Sequence, residues 1–238
     1  MSKLTLTEWR VKKFISNVRE EYDEDSIIKK AVSSRYAKLS DEGPFVQIGM
    51  RFLLEPAIFI DSYSPKPVYY SPELMGAGRA IAFGEEKYLV ETFQKNIQNI
   101  FEKQSFSFEA ISRAMGEVGS DFEPNAVFVP LDFFVMLHTS EEAKGHISYE
   151  KRDCYLLLGP RKLRLFWSSN YVPFDSLIFV SKRLGEWIVK PDPVSKHWVT
   201  IDIEPADEKV DVAMKTVAYY AILDPKAGLI LKVPPPKW

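Results

Sequence analysis

An α+β fold is predicted by three features of the sequence. The stretch from Phe174 to Val233 holds five β-like runs parted by turn signals, with almost no helical periodicity. Within it, Lys209 to Leu223 alternates without a Gly or Pro, so that Val210, Val212, Met214, Thr216, Ala218, Tyr220 and Ile222 share one face. Such a strand spans roughly 50 Å at about 3.3 Å per residue, far beyond the usual five or so residues, and suggests an extended subunit rather than a compact enzyme. The third feature is GEEKYLVETFQKNIQNIFEKQ, residues 84–104, where Leu89, Phe93, Ile97 and Ile100 with Phe101 form the single apolar stripe of a long helix.

The other elements follow in order. Thr5 or Thr7 can cap an amphipathic helix in which Trp9, Val11, Phe14, Ile15 and Val18 recur at helical spacing, and which continues in a second piece to about Arg35. Asp41 to Pro44 is a turn, after which FVQIGMRFLL and PAIFI are expected to be strands joined around Glu55 and Pro56. Asp61 to Ala80 is rich in proline and glycine and is expected to be irregular. A second helix runs from Ser107 to Met115, closed by Gly116 and Gly119; PNAVFVP is a short buried strand, and LDFFVMLHTSEEAK a helix. His138 to Gly159 is charged and loop-like, and Arg161 to Trp167 and Ser176 to Val180 resume the strands. The tail PPPKW favours a stiff, extended form.

With 238 residues, 46% of them hydrophobic, the chain can bury a substantial core. Thirty-one basic against 33 acidic residues leave no overall footprint for nucleic acid or an anionic membrane. No run approaches the about 18 apolar residues of a membrane span, and the N-terminus lacks an apolar signal core, so a soluble, cytoplasmic protein is expected. Cys154 is the single cysteine, which rules out an internal disulfide and a cysteine metal cage.

Catalytic and cofactor motifs are missing. Gly76, Gly78 and Gly84 match no phosphate loop and suit a hinge. His138, His146 and His197 are too widely spaced for a local metal motif. Pairing of Cys154 with one of them would need a coincidence of the fold, and a buried structural thiol is expected. Glu85 with Glu86, and Glu141 with Glu142, read as solvated charges or helix-dipole partners. No catalytic residue, metal ligand or cofactor is therefore expected.

The order of elements resembles the shell proteins of tailed bacteriophages, the Hong Kong ninety-seven capsid fold, and their relatives the encapsulins. The resemblance implies an N-terminal arm over 1–42, an extended loop over 43–72, a peripheral domain over 73–121 and 196–223 with its spine helix at 84–104, and an axial domain over 122–195 and 224–238. It rests on PNAVFVPLDFFVML, on SEEAKGHISYEKRD, which is similar to the axial loop of encapsulins, and on VAYYAILDPKAGLILKV, a long strand, an Asp-Pro turn and a returning strand. It implies pore-loop positions at Lys144, Gly145, His146, Ile147, Ser148 and Tyr149, and inter-subunit arm and loop contacts through Trp9, Phe14, Phe45, Phe52 and Phe59.

The function it implies is a self-assembling icosahedral shell subunit: many copies of the chain as its own partners, an encapsulated cargo enzyme, no membrane, and no catalysis. The alternative is a tailed-virus capsid protein packaging double-stranded DNA, the one reading in which nucleic acid is a partner. A third, of another class, is a soluble enzyme or binding module without a recognisable motif. No scaffolding region precedes the arm, which favours an encapsulin over a phage protein, and no Lys and Asn pair fits the isopeptide cross-link of some phage shells, so covalent chainmail of that pattern is not expected.

Overall fold

The computed structural model describes residues 6–56, 59, 76–151, 153–167 and 171–234. In chain order they form α1 (Glu8–Asp25), α2 (Ile28–Ala31), β1 (Ser33–Tyr36), β2 (Val46–Leu54), α3 (Ala77–Asn96), β3 (Asn99–Glu102), α4 (Phe108–Val118), β4 (Ala126–Val129) and α5 (Leu131–Thr139). Then come β5 (Ile147–Glu150), β6 (Asp153–Leu158), β7 (Arg161–Trp167), β8 (Ser176–Val180), β9 (Gly185–Lys190), β10 (Thr200–Ala206), β11 (Lys209–Ile222) and β12 (Gly228–Lys232). Two compact units result. The first draws its described residues from Met1–Lys29, Ser34–Glu86 and Trp187–Tyr219, the second from Lys30–Ser33, Lys87–Glu186 and Tyr220–Trp238. One division between them falls within α3, between Glu86 and Lys87.

In the first unit, Phe14, Val18 and Tyr22 recur every fourth residue and form the buried stripe of α1. The helix stops where Ser26 N–H bonds Tyr22 O with extended backbone. A five-stranded sheet runs β1-β9-β11-β10, with β2 also on β11. β11 is the continuous strand predicted, 14 residues long. Val210, Val212, Met214, Thr216 and Ala218 of the predicted face are buried. β2 lies antiparallel to it from Val46↔Ala218 to Leu54↔Val210.

FVQIGMRFLL is thus the strand expected, with β11 as its partner. The expected second strand, PAIFI, falls largely outside the described residues, and Phe59 N–H donates to Pro56 O at 2.8 Å. Ala57, Ile58 and Ile60 lie outside the described residues, as do 61–75 of the irregular stretch and 235–238 of the tail.

The long helix is also shifted: α3 occupies Ala77–Asn96, not 84–104. Its glycines are not a hinge but permit close packing. A Cβ on Gly78 would lie 2.1 Å from Val18 O of α1, and one on Gly84 would lie 2.7 Å from Ile48 Cγ2 of β2. At the far end, Asn99–Glu102 gains a parallel strand partner in β12, from Leu229↔Asn99 to Lys232↔Glu102. Ile100, assigned to the helical stripe, is 48% exposed as a result.

The second unit is built on a seven-stranded sheet in the order β3-β12-β8-β4-β7-β6-β5. Ile111, Ala114 and Met115 of α4 and Phe133 and Leu137 of α5 close over Val127, Leu165, Phe179 and Leu229 of that sheet. Ser107 caps α4, its Oγ accepting from Ala110 N–H at 3.0 Å. The helix runs on through Gly116 to Val118, past the expected end at Met115. α5 ends at Thr139, short of the expected Lys144, because Ser140 turns outward and its Oγ accepts from Glu142 N–H at 3.2 Å, starting a 3-10 turn at Glu141–Ala143. The expected loop from His138 to Gly159 is largely a hairpin. β5 and β6 pair from Ile147↔Leu156 to Glu150↔Asp153, with Lys151 at φ 57 in the turn.

Candidate assembly surfaces and pore hairpin

The six residues Lys144 to Tyr149 form the start of this hairpin, but they do not all point outward. Lys144 ion-pairs with Glu141 at 2.5 Å in solvent, and Gly145 takes φ 90, a backbone region that favours glycine. His146 is held instead of free. Its Nδ1–H donates to Leu157 O at 2.8 Å, and its ring stacks flat on Phe108, with centroids 3.7 Å apart. Ile147 leans on the apolar core, while Ser148 lies opposite Tyr155. Tyr149, 63% exposed, is the residue of this set that offers a large ring to solvent.

The expected arm and loop contacts separate in the same way. Trp9 is 54% exposed on α1, with the Arg10 guanidinium 5.1 Å from its ring centre. Phe14 and Phe59, expected to face a neighbour, are buried against each other edge to face at 5.5 Å. An apolar ring at a helix stripe position serves its own core first. Phe45 packs on Tyr219 at 4.8 Å, with the Lys190 ammonium 3.9 Å from its ring centre. Phe52 is half-buried on β2.

Sequence reasoning missed the polar centre of the first unit. Glu85 and Glu86, read as solvated, are both buried, and Glu85 is 0% exposed. Tyr22 OH donates to Glu85 Oε2 at 2.7 Å and so ties α1 to α3. Thr216 of β11 faces the same carboxyl, and the Lys29 charge acts on it as well. Burial pushes the Glu85 pKa up to about 7, against the opposing pull of these partners. The Tyr22 phenol is raised by its own burial and by the Glu85 charge. Glu85 lies 63 residues from Tyr22, a separation across which local spacing gives no signal.

The second unit contains a cavity of about 250 Å³ lined by Gly119, Asp121, Ser181, Arg183, Asp224 and Lys226, among others. Its two cations face two carboxylates, and Arg183 lies 3.8 Å from Asp224, so it presents no net charge to a ligand. Among the described residues, no helix is long and apolar enough to cross a membrane.

No family model matches the sequence, and no curated protein matches it. Solved structures do. The chain is similar to the virus-like particle from Pyrococcus furiosus, with 13% identity and a TM-score of 0.64 over 95% of this chain and 100% of that one. It is also similar to the holo-SrpI encapsulin complex from Synechococcus elongatus, with 10% identity and a TM-score of 0.66 over 86% of this chain and 85% of that one. A third likeness is to the capsid of an empty GTA particle, at 9% identity and a TM-score of 0.62, over 88% and 90% of the two chains. The fold is that of encapsulins and tailed-phage capsid proteins. At such low identity the likeness shows a shared backbone path and nothing of individual side chains.

Proposed function

We propose that the chain is a self-assembling shell subunit of an icosahedral, encapsulin-like compartment that encloses cargo protein in the cytoplasm. The observation that carries this reading is the fold likeness to the Pyrococcus furiosus virus-like particle, which spans the whole of that chain. In this reading α1, α2 and β1 form the arm, β2 opens the extended loop, α3 is the spine helix, and the β5–β6 hairpin from Lys144 to Tyr149 lines a pore. Trp9, Phe45 and Phe52 supply contacts to neighbours. Each contact is modest, but closure makes successive contacts intramolecular, so weak interfaces sum to a durable particle. Closed symmetry also leaves no strand edge open to uncontrolled pairing. The role is structural and involves no catalysis.

Size-exclusion chromatography and negative-stain microscopy test this directly. Uniform round particles of megadalton mass are expected, and a species near 27.4 kDa, or a small oligomer, overturns the reading. Removal of residues 1–42 is expected to abolish the particles. The likeness to a GTA capsid favours a second reading, a shell that packages double-stranded DNA. Nuclease-protected DNA inside purified particles would support it, and a stoichiometric enzyme inside would support the compartment.

A further inference from the structure

α5 is apolar on two opposite sides. Phe133 and Leu137 turn inward onto the core of the second unit. Leu131, Phe134, Val135 and His138 stand at positions i, i+3, i+4 and i+7, and so share the side that the core does not take. Leu131 and Val135 are exposed there, and Phe134 is half-buried. Aromatic side chains from two strands extend this side at both ends. Trp167, the last residue of β7, lies 5.7 Å from Phe134. Tyr149 of the hairpin lies 5.6 Å from His138, whose own ring is 4.1 Å from Phe134. Trp167, Phe134, His138 and Tyr149 thus form one continuous line of side chains, flanked by Leu131 and Val135.

A surface helix carries one apolar stripe and turns its charges to solvent, whereas a helix apolar on both sides is covered on both. None of the four outward positions of α5 holds Lys, Arg, Asp or Glu. Charge is depleted and aromatic residues are enriched in the same way at the centre of protein interfaces. We propose that a second copy of the chain covers this side of α5, as the next subunit around the axis on which the hairpin lines a pore.

The inference rests on the shell reading above, and two observations select a copy of the chain as the occupant. The first is continuity. Tyr149 belongs both to the aromatic line and to the hairpin, and a hairpin that lines a pore sits beside a rotation axis, where each subunit is flanked by its own copies. The second is size. Trp167 is 47% exposed and Tyr149 63%. At about 150–250 Å² per aromatic side chain, these two with Leu131 and Val135 leave on the order of 300–400 Å² of apolar surface. That is roughly half of the about 800 Å² that each partner gives to a stable pairwise complex. A patch of this size does not hold two chains together alone, but it suffices where closure repeats it and other contacts hold the same neighbours. Rotation about an axis makes the contact head-to-tail, so the patch meets a different face of the next copy.

Val135→Lys tests the contact, because it places a charge in the covered surface, while lysine suits an exposed helical position in the free chain. Where wild type forms particles, the variant is expected to need about tenfold or more chain concentration to form them, as read by size-exclusion chromatography, with an unchanged thermal melt of the free chain. Particles formed at the wild-type concentration overturn the inference and leave the shell reading standing. Wild type that forms no particle overturns the shell reading itself, and this contact with it. A second measurement needs no variant. Hydroxyl radicals are expected to modify Trp167 and Tyr149 several-fold more slowly in wild-type particles than in chains diluted below the assembly concentration. Equal rates overturn the inference, even if Val135→Lys fails to fold.

Discussion

The two units treat their ionisable groups in opposite ways. In the first, a carboxyl is fully buried: Glu85 sits between α1 and β11 with Tyr22 OH at 2.7 Å. In the second, the core of Phe133, Leu165, Phe179 and Leu229 is apolar, and the Cys154–His138 pair lies at its edge. An apolar core is indifferent to pH, whereas a buried carboxyl makes folding compete with ionisation, because desolvation disfavours the charged form. Local stability in this chain is therefore pH-sensitive around Tyr22 and insensitive around Phe133.

The largest effect is expected from Phe133→Ala, which empties the centre of the second core. Urea denaturation should show a loss of about 3–5 kcal/mol, of equal size at acid and neutral pH. Glu85→Gln comes next and should be pH-dependent. Because the folded state raises the Glu85 pKa from 4.5 to about 7, its stabilising contribution is full below the unfolded value and is lost as pH rises through about 7. The loss is on the order of 3 kcal/mol. Glutamine cannot ionise, so the variant should be more stable than wild type above pH of about 7 and show a flatter profile in denaturation across that range. Equal pH profiles for the two proteins would remove Glu85 as the source.

Tyr22→Phe withdraws the phenol donor from the carboxyl and should cost about 1–3 kcal/mol, more at high pH than at low, with Glu85 pushed further up. Smallest is Ser107→Ala, which removes the cap of α4. A loss of about 1 kcal/mol is expected, independent of pH, and a thermal melt would detect it.

Where a pattern is periodic and its partner is solvent or core, the sequence was enough. The alternation of Lys209 to Leu223 predicted β11 because period two allows one buried face only, and that face is buried from Val210 to Ala218. The turn signals around Phe174 to Val233 likewise marked β8 to β12. The end of α3 was not legible. Ile97 to Phe101 continues the helical stripe, and the chain turns to strand there only because β12 offers a partner some 130 positions later. The candidate surfaces were partly legible. Tyr149 and Trp9 are exposed, and the stripe spacing of Phe14 did not tell a neighbour's groove from Phe59 of the same chain, on which it packs.

By itself, then, the sequence determined the long strand, the α4 and α5 helices and the absence of a local catalytic motif, since each is written in residues close together. Only the tertiary structure decided that Gly78 admits α1 against α3, that Glu85 is buried beneath Tyr22, and that Cys154 meets His138. These are contacts between elements, and their energies depend on distance and burial, which spacing along the chain does not carry.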